Sequence, residues 1–349
     1  MIFDDKTRQQ IREKFDAELK DDVFIKLFSS NLIIGNSNSE YVDFTKEFLK
    51  ELSEINSKIH VESSGMYEEE AKKRGITVSP TVIIGYGNGW YPVQYFGAPA
   101  GYEAGSFIEA ISMISRRDSA LDVSSREKLK NIDRDMLIET YVTPDCPHCP
   151  KAVVLSNQIA IESGGKIVSR CIEAQEMMDR ARMFNVSSVP QQVINEKKES
   201  ITISVQQEKT FVNQILSYGS NSAKEILEKE EREKKLREIL SDNPDYPVII
   251  TDGNMDEAIV RYPFLVVDCW AEWCAPCKMI GPVIAKLALS QKGDIVFGKL
   301  DVDSNPDTSA KFNIRSIPNL LVFKNGNKVG DIIGAMPEAT LLEKINEFK

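Results

Sequence analysis

The chain has 349 residues, and at roughly 100–200 residues per domain this implies two or three domains. A net charge of −10, from 43 basic and 53 acidic residues, argues against a general nucleic-acid binder, because neutralising phosphates needs a basic surface. No run of 18 apolar residues exists and the acidic start Met1-Ile2-Phe3-Asp4-Asp5 lacks an apolar core, so neither a membrane span nor a secretory signal is expected and the chain is placed in the cytoplasm.

In chain order, residues 6–19 are predicted as an amphipathic helix, with Ile11, Phe15 and Leu19 on one stripe. Strand candidates follow at Val23–Phe28 and Leu32–Ile34, then a helix at Tyr41–Ile55, a strand at Ile59–Glu62 and a helix at Glu68–Arg74. A strand pair after Pro80 and a helix at Ser106–Ser115 close this stretch. The next predicted strand is Met136–Val142, followed by a helix opened by Cys146-Pro147-His148-Cys149 and running to about Ser163. A strand at Lys166–Ile172, a helix at Glu176–Phe184, strands at Gln191–Ile194 and Ser200–Val205, and a helix at Glu208–Tyr218 come next. Residues 223–240 carry six acids and six bases with few apolar positions, which reads as a solvated connecting helix with Glu and Lys at i,i+4. The last stretch is predicted as a strand at Val248–Thr251, a helix at Met255–Arg261 and a buried strand at Phe264–Asp268. There follow a helix from the second Cys-x-x-Cys to Leu289, a strand at Ile295–Asp301 and a helix near Asp307–Phe312. A hairpin around Asn325-Gly326 and a helix at Glu338–Phe348 end it.

Three segments repeat one pattern, a β-branched apolar residue four positions before a proline and a strand-like run after it. They are Ile76 to Pro80, Val186 to Pro190 and Ile314 to Pro318. Spacings of 110 and 128 residues between the prolines mark a domain repeat. The fold expected is α/β, with three tandem units, each a mixed sheet flanked by helices. The boundaries are 1–118, 119–220 and 245–349, with residues 221–244 as a linker.

Six cysteines are too sparse for a disulfide scaffold, and four of them form two Cys-x-x-Cys pairs. A dithiol exchanges disulfides when one sulfur is thiolate and a second can release the mixed disulfide. A cysteine at a helix N-terminus is stabilised as thiolate by unpaired N–H groups and the positive dipole end. Cys146 and Cys274 are therefore the expected nucleophiles, and Cys149 and Cys277 the resolving thiols, with Pro147 and Pro276 in the first helical turn. Cys146 to Pro190 and Cys274 to Pro318 are both 44 residues, which implies one spatial relation in both units. A cis bond at Val189-Pro190 or Ile317-Pro318 beside the sulfur would offer a backbone edge to a substrate peptide. His148 is expected to tune the Cys146 thiolate, and Cys171 and Cys269 to be buried and inert. A zinc site is not expected, because the two pairs open helices in separate repeats.

Residues 268–278, Asp-Cys-Trp-Ala-Glu-Trp-Cys-Ala-Pro-Cys-Lys, with Pro282 and Ile314 to Pro318, resemble thioredoxin. The preceding units resemble the two-domain, glutaredoxin-like protein disulfide oxidoreductases of archaea and thermophilic bacteria. This second resemblance rests on Tyr95 to Gly101, Asn131-Ile132-Asp133 and Val142 to Pro150. The thioredoxin resemblance implies that Asp268 shuttles a proton for the resolving thiol, that Lys299 pairs with Asp268, and that Trp270 and Trp273 flank the site with Ile317-Pro318. Ala275 stands in place of the usual glycine and Cys269 in place of an aromatic. In the middle unit Thr140 occupies the position of the acid, and Glu139 faces the other side of its strand. Proton handling there is left to water or to an acid elsewhere. The first unit has no cysteine. Its Cys-x-x-Cys position falls on Ser39-Glu40-Tyr41-Val42 or, counted from Pro80, on Asn36, so a structural or docking role is expected.

The resemblance implies a reductase, or an isomerase, of protein disulfides. It would bind no cofactor and be recharged by a separate thioredoxin-reductase-like flavoenzyme with NADPH. A dedicated donor to a peroxiredoxin or ribonucleotide reductase is the nearest alternative, and a chaperone-like peptide binder the alternative of another class. The His148 dipeptide predicts a more oxidising couple at Cys146/Cys149, with electrons running to it from Cys274/Cys277.

Overall fold

The computed structural model describes residues 2–30, 37–237 and 239–349, which divide into two compact units, one up to Glu225 and one from Ile226 onward. The first unit runs α1 (Asp5–Glu18), β1 (Val23–Ser29), α2 (Ser37–Ile55), β2 (Ile59–Gly65), α3 (Glu69–Lys73), β3 (Thr81–Gly85), β4 (Val93–Phe96) and α4 (Glu103–Arg116). It continues with α5 (Val123–Leu129), β5 (Met136–Val142), α6 (Cys149–Glu162), β6 (Ile167–Glu173), α7 (Met178–Met183), β7 (Gln191–Ile194), β8 (Thr202–Ile203) and α8 (Glu208–Gly219), and the connecting helix α9 (Ala223–Arg237) begins at its end.

Its eight strands form a single sheet in the order β2-β1-β3-β4-β6-β5-β7-β8. Within the first four, β2 and β1 are parallel, while β1 and β3, then β3 and β4, are antiparallel. The last four repeat this, parallel for β6 and β5 and antiparallel for β5, β7 and β8. The halves meet where β4 lies parallel to β6, from Val93 beside Ser169 to Phe96 beside Ile172. One apolar cluster crosses the junction, holding Phe107 and Ile111 of α4 with Cys149 and Val153 of α6.

The second unit runs β9 (Val248–Ile250), α10 (Met255–Arg261), β10 (Phe264–Trp270), α11 (Ala275–Ser290), β11 (Val296–Asp301), α12 (Pro306–Lys311), β12 (Asn319–Lys324), β13 (Asn327–Ile333) and α13 (Glu338–Asn346). Its sheet order is β13-β12-β10-β11-β9. β11, β10, β12 and β13 repeat the parallel, antiparallel, antiparallel pattern. The central β10 is buried along Phe264–Cys269 because both faces are covered by helices, whereas edge strand β13 is mostly exposed. Both architectures are mixed α/β, as the sequence predicts.

Helix α5 is not among the elements predicted from the sequence. It is short, and its buried face is Ser125, Lys128 and Leu129, too polar to show as an apolar stripe. Asp122 caps it by accepting the Ser125 N–H at 2.7 Å, and Lys128 Nζ donates to Asn213 of α8 at 2.7 Å. The strand predicted at Ser200–Val205 shrinks to Thr202–Ile203, because Ser200 folds back to bond both the N–H and C=O of Ile194. α9 carries the expected i,i+4 pairs Glu231–Lys235, Glu228–Arg232 and Lys229–Glu233. The strand expected at Leu32–Ile34 and the alternative cysteine position Asn36 lie outside the described residues.

Candidate active site

In the second unit, β10 leads directly into Cys274, the N-cap of α11. Cys274 and Cys277 form a disulfide with Cα atoms 5.3 Å apart, and the Cys277 N–H donates to Cys274 Sγ at 3.2 Å. That N–H is one of the orphan donors of the first helical turn, and it stabilises charge on the first sulfur. Pro276 sits in the same turn, where it removes no intrahelical bond. Trp273 is 70% exposed, and its Nε1 donates to Asp303 Oδ2 at 2.8 Å, which fixes the indole beside the disulfide. Ile317-Pro318 is a cis peptide just before β12.

Asp268 is fully buried, and neither carboxylate oxygen has a hydrogen bond. Burial pushes its carboxyl up to about 6, opposed by the positive charge of Lys299. The two residues are register neighbours on β10 and β11, but the Lys299 ammonium lies over the Trp270 ring, 4.3 Å from its centroid. The pairing expected from the resemblance is therefore an interaction through charge, without a hydrogen bond. Cys269, the next residue along β10, faces the other side, and burial with the neighbouring Asp268 charge pushes its thiol far up.

In the first unit, Cys146 and Cys149 form the second disulfide, with Cα atoms 5.5 Å apart. Here the expectation is corrected. α6 begins at Cys149, so Cys146 and Pro147 lie on the loop before it, His148 is the exposed N-cap, and Pro150 occupies the first turn. The critical bond survives, since the Cys149 N–H donates to Cys146 Sγ at 3.1 Å. Cys146 is 8% exposed and Cys149 is fully buried. Val189, in a cis peptide with Pro190, packs on the apolar cluster that contains both cysteines.

Thr140, at the position of Asp268, bonds Ser156 of α6 at 2.9 Å. Glu139 faces away, buried between Arg170 at 3.2 Å and Arg180 at 2.8 Å. A buried acid of the half without cysteines, Glu103 in the first turn of α4, lies close to Cys171 and Tyr95. Its side chain is 2% exposed, its Oε1 has no partner, and burial pushes the carboxyl up to about 7. Glu103 is anchored next to the cysteine loop, because the N–H of neighbouring Tyr102 donates to the carbonyl of Pro144 at 3.1 Å. Its charge, together with burial, pushes the Cys171 thiol and the Tyr95 phenol up. Cys171 shares the apolar cluster of Cys146 and Cys149. The signal was present in the sequence, an acid two residues after Gly101 at the end of the Tyr95 to Gly101 run, but only folding brings it close to Cys171 of the other half.

Among the described residues no three His, Cys, Asp or Glu side chains gather as a metal site, and no helix is long and apolar enough to cross a membrane.

A thioredoxin family model matches residues 247–347. Thioredoxin of Staphylococcus haemolyticus is 47% identical over 100 residues, which are 29% of this chain and 95% of that protein. The chloroplastic M-type thioredoxin of Pisum sativum is 45% identical over 102 residues, and there this chain spans only 59% of the relative's length. Among solved structures, a protein disulfide oxidoreductase from Aeropyrum pernix K1 aligns with a TM-score of 0.54 and 27% identity, covering 62% of this chain and 93% of its own. That share exceeds the second unit, so the likeness extends into the first. The alkylhydroperoxide reductase AhpF of Enterococcus faecalis (C503A mutant) aligns with a TM-score of 0.54 at 22% identity, over 61% of this chain and 98% of that one, a likeness of fold. With two closed dithiol pairs on this fold and a near-complete thioredoxin match over its second unit, the chain belongs to the thioredoxin family and is a thiol–disulfide oxidoreductase.

Proposed function

We propose that the protein reduces disulfides in other proteins at two centres, Cys274/Cys277 and Cys146/Cys149. The observation that carries this reading is that in both pairs the N–H of the second cysteine donates to the sulfur of the first. The Cys274 thiolate attacks a substrate disulfide, forming a mixed disulfide and releasing one substrate thiolate, which takes up a proton. Cys277 then gives its proton to the Asp268 carboxylate and attacks Cys274 Sγ. The intramolecular disulfide closes and the second substrate thiolate leaves, to be protonated in turn. Two electrons pass from the dithiol to the substrate.

At Cys146/Cys149 the proton of Cys149 goes to the Glu103 carboxylate. The cysteine-free half therefore completes a centre carried by its neighbour, as its buried acid and its bond to Pro144 support. Exposed Trp273, Pro276 and His148, with Ile317-Pro318 and Val189-Pro190, form the surfaces that receive the substrate chain. Domains at 1–118, 119–220 and 245–349, with residues 221–244 between the last two, fit the three repeats of the strand pattern. A separate flavoenzyme drawing on NADPH returns both pairs to the dithiol state.

Insulin reduction by the full chain tests this reading. Cys146→Ser with Cys274→Ser abolishes turnover, and each single variant retains part of it. Full activity in the double variant would end the enzyme reading.

A further inference from the structure

We propose that Ser106 and Tyr95 are positioning residues for the Cys146/Cys149 centre, holding one oxygen of Glu103 in a directed hydrogen-bond chain and leaving the other free for the proton of Cys149. The inference rests on the role given to Glu103 above.

The chain is buried throughout and draws on four elements. Asn157 of α6 accepts from Ser169 of β6 through Oδ1 at 2.7 Å, which leaves its Nδ2 to donate to the Tyr95 hydroxyl at 3.4 Å. Tyr95 and Ser106 lie 3.2 Å apart, oxygen to oxygen. Ser106 Oγ is 2.5 Å from Glu103 Oε2 and 2.9 Å from the Glu103 carbonyl, and its single proton goes to the nearer, charged oxygen. A phenol carries one proton, so a Tyr95 hydroxyl that accepts from Asn157 donates to Ser106, and Ser106 in turn donates to Glu103. Tyr95 keeps that proton at any working pH, because burial and the charges of Cys171 and Glu103 push its ionisation well up. Every link therefore points toward Oε2, while Oε1 has no partner. The titratable groups that interact with Glu103 are Tyr95 from β4 and Cys171 from β6. Among the described residues no basic side chain bonds the carboxyl, so the Ser106 hydroxyl is the group that offsets burial and keeps Glu103 ionisable near neutral pH.

The test uses the full chain carrying Cys274→Ser and Cys277→Ser, so that one centre is read. The pH dependence of the resolving step is followed with a chromogenic aryl disulfide, and Glu103 itself by side-chain carbon-13 titration. Glu103→Gln is expected to remove the acidic limb of the rate profile. Ser106→Ala and Tyr95→Phe are expected to move that limb, and the Glu103 titration, upward by roughly one pH unit, the size of one hydrogen bond to a charged group. Ser106→Thr, which keeps the hydroxyl, is expected to bring it back. An unmoved limb in both Ser106→Ala and Tyr95→Phe, with Glu103→Gln still abolishing it, overturns the inference and leaves the role of Glu103 standing. A shift that Ser106→Thr does not reverse overturns it as a packing effect. A limb that persists in Glu103→Gln overturns the role of Glu103 and the inference with it.

Discussion

The N–H of Tyr102 donates to the carbonyl of Pro144 at 3.1 Å, which ties the start of α4 in one half of the eight-stranded sheet to the loop before Cys146 in the other. Gly101, beside it, has φ of +60°, and a Cβ there would meet the Pro144 oxygen at 2.3 Å. Gly101→Ala therefore forces the two loops apart. It is expected to slow turnover at Cys146/Cys149 at least tenfold while Cys274/Cys277 keeps its rate, as measured in chains where the other pair is replaced by serine. Equal rates at Cys146/Cys149 in variant and parent count against the tie.

Asp268 has a stability consequence with a definite sign. Its folded-state carboxyl lies near 6, above its ordinary value of 3.8, so the fold disfavours the charged form. The cost is absent below about pH 4, grows as the pH rises through 6, and is complete above it. Asp268→Asn should therefore stabilise the oxidised chain by about 2–3 kcal/mol at pH 8 and by nothing at pH 3.5. Chemical denaturation of the second unit's transition at the two pH values checks this. The same variant slows the resolving step, because the proton acceptor of Cys277 is gone.

Glu139 should behave as a structural residue. It is fully buried between the guanidinium groups of Arg170 and Arg180 and accepts from the Tyr141 hydroxyl at 3.2 Å. Arg170 is itself held by burial below its ordinary ionisation range. Glu139→Ala leaves Arg170 desolvated without its carboxylate, at a cost of about 3–5 kcal/mol. A denaturation midpoint unchanged within error contradicts this, and the pH profile of the Cys146/Cys149 centre is expected to stay as it is.

Cys171 and Cys269 should not react in the folded chain. Both are buried, and desolvation with nearby carboxylates pushes their thiols well above the ordinary range. After reduction, a brief pulse of iodoacetamide at pH 8 is expected to label Cys146 and Cys274, and to reach Cys171 and Cys269 only in denaturant. Mass spectrometry of the labelled peptides reads the outcome.

The sequence by itself determined the two dithiols, the repeated proline spacing and nearly every strand and helix of the second unit. All of these are local patterns or fixed counts along the chain. It also determined that Glu139 faces away from the cysteines, since strand alternation follows from backbone geometry alone. Tertiary structure decided three things. The first two repeats share one continuous sheet, because edge pairing of β4 with β6 leaves no mark in either strand's own residues. The Lys299 ammonium rests over Trp270 and acts on Asp268 through its charge, a choice among rotamers that spacing cannot make. Glu103, 43 residues before Cys146 in the chain, is brought against Cys171 of the neighbouring half. Its desolvation is a property of what surrounds a carboxyl in space, and that exists only once α4 and α6 have packed together.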